Sequence, residues 1–161
     1  MPDKKIMAGG ALLAAAGFWF YIKPNYLDSS PPPVYTEEQI SEAPRPTVTL
    51  EERVLNLKSS AVTSSYVKVQ IALEFADPDH KWIGLEGEAL MGANESFTAE
   101  MEGDIHRIWD SITDVIGSKT IEDVSTAEGR DELKTELREA INQEVHTQQV
   151  ENVYFVTFVT Q

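Results

Sequence analysis

Cysteine is missing from this 161-residue chain, and histidine nearly so, with His80, His106 and His146 its only three. Without cysteine sulfur there is no disulfide framework, no thiolate nucleophile and no zinc site built on thiolates. Histidines so scattered in sequence form no local metal motif such as H-E-x-x-H. Positive charge is also scarce: 13 Lys and Arg stand against 27 Asp and Glu, a formal net charge of -14. Nucleic-acid binders place Lys and Arg against phosphates and release counterions, so this balance argues against a nucleic-acid partner. No glycine-rich phosphate loop follows a strand, and G-x-S-x-G and S-x-x-K motifs are absent. No catalytic function, cofactor or metal is expected; an enzyme here would have to work mainly with carboxylates. The length accommodates one domain plus appendages.

One long uncharged run is present, from Ile6 to Ile22. At the helical rise of ~1.5 Å per residue it covers ~25 Å, short against a hydrocarbon core of ~30 Å but within the range of spanning helices. Lipid offers an open backbone no partners, so such a span is expected to be helical. Phe18, Trp19, Phe20 and Tyr21 gather at its C-terminal end, where amphipathic rings settle at headgroup level, and Lys23 and Pro24 close it. The expected anchor therefore runs over 6–22 and includes Ile6, Gly10, Ala14, Gly17, Trp19 and Tyr21. Lys4 and Lys5 outweigh Lys23, which puts residues 1–5 in the cytoplasm and everything beyond the span outside. A cleaved signal peptide is the competing reading; bulky aromatics after Ala14 to Ala16, where a small-residue cleavage site would stand, weigh against it. Gly10, Ala14 and Gly17 lie on one helix face and would admit a second helix closely, although such patterns also recur by chance in Ala-rich spans.

Residues 23–46 read as a Pro-rich linker, since six of the eight prolines fall between Pro24 and Pro46. Fully extended as polyproline II at ~3.1 Å per residue it would reach ~70 Å, a semi-stiff tether. The remaining stretch, 47–161, carries one mixed α+β pattern. Val67, Val69, Ile71, Leu73 and Phe75 alternate with Tyr66, Lys68, Gln70, Ala72 and Glu74, the period of a half-buried strand, with a shorter strand expected between Val48 and Leu57 and a turn over Ser59 to Ser65. Asp77-Pro78-Asp79 ends the strand, and the sequence then reads as irregular or edge strand to about Asn94. Phe97, Met101, Ile105, Ile108, Ile112 and Val115 recur at steps of four and three, predicting one helix that Gly117 stops. Ser125 with Glu128 forms a capping-box pattern, Thr126 being the alternative cap, and Leu133, Leu137, Ile141 and Val145 mark a second helix whose exposed face is laced with Glu, Lys and Arg. Val153 to Gln161 reads as an apolar C-terminal strand that must pair into a sheet.

Few side chains suggest chemistry. Asp77, Asp79, His80, Glu86 and Glu88 could offer oxygen ligands to calcium or magnesium, but the pattern lacks the glycine and terminal glutamate of an EF-hand loop and reads as a solvated turn. His106 falls on the polar side of the first helix, and His146 near the end of the second, where a cation suits the dipole. Asn94-Glu95-Ser96 fits the glycosylation sequon, which matters only in a eukaryotic secretory pathway.

The pattern resembles the FliL family of bacterial flagellar basal body-associated proteins. The resemblance rests on Asp110, Ile112, Ser118-Lys119-Thr120, Asp123-Val124, Glu128-Gly129, Leu133, Leu137 and Ile141-Asn142, in a family order of helix, short strand and capped helix. It extends to Asn56-Leu57 and Tyr66-Val67-Lys68-Val69 in the opening strands, and to Val153-Tyr154-Phe155, Phe158-Val159 and Gln161 at the end. The chain departs from the pattern at Trp109, where the family commonly has Arg before the helix aspartate, and at Val156 and Thr157, in place of Thr-Asp. The resemblance implies a small extracytoplasmic domain of stomatin/prohibitin-like fold, an antiparallel or mixed sheet with two helices. Asn56, Asp110, Lys119, Thr120, Glu128, Gly129, Asn142, Phe158 and Gln161 would be structural family positions. It further implies a non-enzymatic motility accessory in the bacterial inner membrane at the flagellar basal body, forming homo-oligomeric rings that stabilise or activate the stator units. A membrane-anchored extracytoplasmic ligand-binding or sensory module is the alternative reading; it calls for a concave apolar pocket with convergent polar groups, where a scaffold calls for complementary flat faces.

Overall fold

The computed structural model describes residues 33–59 and 64–161. The anchor expected over 6–22, residues 23–32 of the linker, and the middle of the Ser59–Ser65 turn lie outside the described residues. Among the described residues no helix is long and apolar enough to cross a membrane. The chain divides after Thr36, and the second unit runs from Glu37 to Gln161.

That unit is α+β. Its elements in chain order are α1 (Glu37–Glu42), β1 (Thr47–Thr49), β2 (Arg53–Asn56), β3 (Tyr66–Phe75), α2 (Gly87–Met101), α3 (Ile105–Gly117), α4 (Ile121–Ser125), α5 (Ala127–Glu144) and β4 (Val150–Thr160). Every pairing in the sheet is antiparallel, with β3 at its centre. On one side of β3, β2 takes its first half (Arg53 opposite Val69) and β1 its last (Thr47 opposite Glu74). On the other side β4 runs the full length, from Val150 opposite Phe75 to Thr160 opposite Val67, with register shifts at Gln70/Ile71 and Glu74/Phe75. Between the partners of Gln70 and Ile71, Val156 is the extra residue of a bulge.

The expected alternation in β3 is present. Val67, Val69, Ile71, Leu73 and Phe75 are all fully buried and form the sheet side of the core. Burying side chains of this size contributes about 1.5–3 kcal/mol each relative to exposure. Phe97 of α2 meets Phe75 edge-on at 5.1 Å between ring centroids, and Trp82 meets Phe97 at 6.2 Å. Ile108, Ile112 and Ile116 of α3 and Leu133, Leu137 and Ile141 of α5 complete the core.

Several sequence expectations need correcting. Among the described residues the single strand before β3 is two, the two helices expected in 47–161 are four, and the short α1 lies within the stretch expected as linker. The stretch ending at Asn94, read as irregular or edge strand, contains the start of α2, and the apolar stripe read as one helix is broken at Glu102–Asp104. Gly103, a poor helix former, lies in that break. The Asp104 N–H bonds the Met101 carbonyl, the Asp104 carbonyl accepts from the Ile108 N–H, and the Asp104 carboxylate accepts the Thr147 hydroxyl. The chain thereby reorients, so that α2 packs on β1 while α3 packs on α5. The short strand expected after α3 is the helix α4. The capping box also sits elsewhere: Thr120 and Asp123 form it at α4, whereas α5 is capped by Thr126, whose hydroxyl accepts from Gly129 N–H at 3.0 Å. Ser125 belongs to α4, its hydroxyl donating to the Ile121 carbonyl.

Candidate functional site

One face of the sheet is covered by helices and the other is open. Apart from Val34 and Met91, the large apolar side chains exposed among the described residues all belong to the sheet: Val54, Tyr66, Tyr154, Val156 and Val159. Register explains the grouping. Val54 and Val159 flank Lys68 from either side, Tyr154 lies opposite Ala72, and the inward partners of the same strands fill the core. Charge on this face is light, with Lys68 held by Glu52 at 2.7 Å and Glu74 accepting from the Asn152 amide at 2.7 Å. Apolar surface gathered on one face of an acidic protein marks an interaction surface.

The family positions of the sequence reading are dispersed, and most have a visible structural task. Asn142 reaches from α5 to the start of β4, donating to the Val150 carbonyl at 2.9 Å and accepting from the Val150 N–H at 2.8 Å. Lys119 pairs with Glu136 of α5 at 2.6 Å, and its carbonyl accepts from Lys58 N–H. Thr120 caps α4. Gly129 stands where α5 crosses the end of α4: a Cβ there would collide with the Asp123 carbonyl oxygen and lie 3.0 Å from its carbon. Phe158 stacks on Phe155 with centroids 4.7 Å apart. Gln161 exchanges both backbone hydrogen bonds with Tyr66, at 2.8 and 2.9 Å. Asn56 is an exposed residue of β2, and Glu128 lies exposed in the first turn of α5.

Asp110 is exposed on α3 beside a shallow cavity of about 430 Å³ lined also by Arg53, Glu102, His106, Trp109 and Thr113. Within it the Arg53 guanidinium lies over the Trp109 ring, 4.3 Å from its centroid. The sequence reading missed this pair, whose only signal was an unusual Trp on α3 with no indication of its partner. His106 is exposed here, and His146 sits just beyond α5 in a second open depression.

The loop after β3 holds a cavity of about 530 Å³ lined in part by Pro46, Asp77, Lys81, Trp82, Phe97 and Glu100. Three of its charged groups are already engaged. The Asp77 carboxylate accepts the N–H groups of Lys81 and Trp82 at 3.0 and 2.8 Å, and Lys81 pairs with Asp79 at 2.7 Å. The Lys81 ammonium holds the exposed Asp79 carboxyl below its ordinary pKa and is itself raised in return. Among the described residues no three of His, Asp and Glu come together as a metal-binding group. At α4 the backbone N–H of Thr120, and then its side chain, hold Asp123 below the usual carboxylate range.

Comparison with known proteins adds two findings. Residues 47–161 match the family model described as flagellar basal body-associated protein FliL. The chain is also 35% identical over 89 residues to the flagellar protein FliL of Aquifex aeolicus (strain VF5), the aligned stretch covering 55% of each protein. The chain thus spans about half the length of the curated relative it matches.

Proposed function

The chain belongs to the FliL family of flagellar basal body-associated proteins, and from that membership we propose that it is a non-enzymatic accessory of the flagellar motor, anchored in the bacterial inner membrane by residues 6–22. Its ectodomain stands outside the membrane in a stomatin/prohibitin-like fold, associates into a ring, and stabilises or activates the stator units that deliver torque. The observation that carries this reading is the open sheet face: a family protein that works through contacts needs a broad apolar surface, and Val54, Tyr66, Tyr154, Val156 and Val159 supply one. The loop cavity supports the ligand-binding alternative less well, because the Asp77 carboxylate is already taken by the backbone N–H groups of Lys81 and Trp82, and Lys81 and Asp79 pair with each other.

The test is a strain lacking this chain, compared with its parent for swimming in media of rising viscosity and for the number of assembled filaments. The reading expects normal filament numbers with speed that falls increasingly behind the parent as load rises. Equal speed at every load would overturn it.

A further inference from the structure

We propose that the free edge of β4, together with the basic row of α5 beside it, is a docking groove in which an extended acidic segment of a partner protein adds as the next strand of the sheet. This proposal goes beyond the motor-accessory reading and does not depend on which protein supplies the segment.

The first observation is the edge itself. Among the described residues β4 pairs with β3 alone, so its other side carries unpaired backbone groups. Tyr66 and Gln161 exchange both hydrogen bonds, and the antiparallel ladder alternates from that pair. The N–H and C=O of Thr160 and Phe158, opposite Val67 and Val69, therefore point away from the sheet. The opposite border of the sheet is treated differently: the Thr47 N–H is taken by Asn94 Oδ1 at 3.1 Å, and α2 and α3 pack along β1 and β2. From Asn152 to Gln161 the strand is uncharged and rich in β-branched and aromatic residues. Natural proteins usually blunt a long edge strand with charge or proline, and one left open is a template for strand addition.

The second observation, charge, names the occupant. Arg130, Lys134, Arg138 and Asn142 follow at steps of four and so share one face of α5. Asn142 is bonded to Val150, and the Lys134 ammonium lies 5.7 Å from the Phe155 ring centroid. These two anchors lay the row along β4 and place Arg138 between them. Arg130 is bonded to the carbonyls of Val124 and Ser125, Lys134 has Asp131 at 3.0 Å, and Arg138 makes no ion pair among the described residues. The nearest acid on β4 itself, Glu151, is paired with Arg45. In a chain with twice as many acids as bases, the acids beside this edge, Asp131 and Glu151, are each already paired with a cation, and among the described residues Arg138 is left with none. A second copy pairing through β4 about a two-fold axis would bring the two basic rows face to face, whereas an acidic strand would meet them with opposite charge.

The probe is a ten-residue peptide alternating Glu with Val and Thr, compared with the same peptide carrying Lys for Glu, on the full chain in uncharged detergent. Fluorescence anisotropy reads binding, and amide hydrogen exchange reads Phe158 and Thr160. The acidic peptide is expected to bind at least about tenfold more tightly than the basic one, to weaken with salt, and to slow exchange at both amides. Lys134→Glu with Arg138→Glu should abolish that preference. Thr160→Pro, which removes an outward donor, should weaken both peptides; if Thr160→Pro does not fold, the acidic peptide N-methylated at alternate residues, which lacks the donors to add as a strand, should fail to bind the unaltered chain. Equal binding of the two peptides, binding indifferent to the charge reversal, or no binding would overturn the proposal. So would slow exchange at Phe158 and Thr160 in the free chain, because the edge would then be occupied by a second copy or by residues 1–32.

Discussion

The same substitution, glycine to alanine, should have opposite effects at two helical positions of this fold. At Gly92 in α2 a Cβ meets nothing within 4 Å. Alanine there should stabilise the protein by about 0.5–1 kcal/mol through helix propensity alone. At Gly129 the propensity gain is the same, but the Cβ collides with the Asp123 carbonyl oxygen and sits 3.2 Å from Thr126 Oγ1. Backbone cannot rotate away as a side chain can, so the start of α5 must shift from the end of α4. That shift breaks the Thr126 cap, worth about 1 kcal/mol, and adds overpacking strain of about 1–3 kcal/mol. After the propensity gain, Gly129→Ala should cost about 2 kcal/mol, lowering Tm by roughly 6–10 °C, while Gly92→Ala should raise it by roughly 2–4 °C. Thermal unfolding of the full chain in mild detergent, followed by circular dichroism, reads both. A neutral or stabilising Gly129→Ala would refute the close crossing of α4 and α5.

Three further outcomes follow from particular contacts. Asn142→Ala removes both bonds to Val150, which is almost fully buried; stranding that N–H and C=O should cost about 2–4 kcal/mol, read as a lower midpoint in urea by the fluorescence of buried Trp82 and Trp109. Asp123 has its folded pKa lowered by Thr120, so its contribution is full above the ordinary carboxylate pKa and is lost as pH falls through the lowered folded value. Acid unfolding of Asp123→Asn should accordingly show less loss of stability over that acid window than the parent, and an identical pH profile would contradict the cap. From Pro24 onward there are 10 basic and 26 acidic residues, net -16; side-by-side association should therefore respond to salt, and equal oligomer populations by sedimentation at low and high ionic strength would count against it.

The parts legible in the sequence are those whose periodicity coincides with burial. In β3 every second residue meets the helices, so strict alternation marked the strand and its core face. The helical spacing of Leu133, Leu137 and Ile141 did the same for α5. The break at Glu102–Asp104 was not legible, because the apolar stripe keeps its phase across it and what turns the chain is local chemistry at Gly103 and Asp104. The start of α2 was hidden by Gly84, Gly87 and Gly92, which read as loop punctuation; Gly84 and Gly87 do have positive φ, but Gly92 is helical. The α5 cap moved by one residue because Ser125 spends its hydroxyl on the Ile121 carbonyl. Of the candidate surface, the apolar character of the last strand was readable. Its free edge and the alignment of Arg130, Lys134 and Arg138 along it depend on how α5 lies across β4, which no local pattern encodes.

The central proposal is that this domain works by holding flagellar motor components together. Purification of the tagged full-length protein from gently solubilised native membranes, with mass spectrometry of its companions and particle imaging, tests that claim most directly. The account predicts ring-shaped particles carrying stator subunits; a stator-free monomer that persists under milder solubilisation and crosslinking would contradict it.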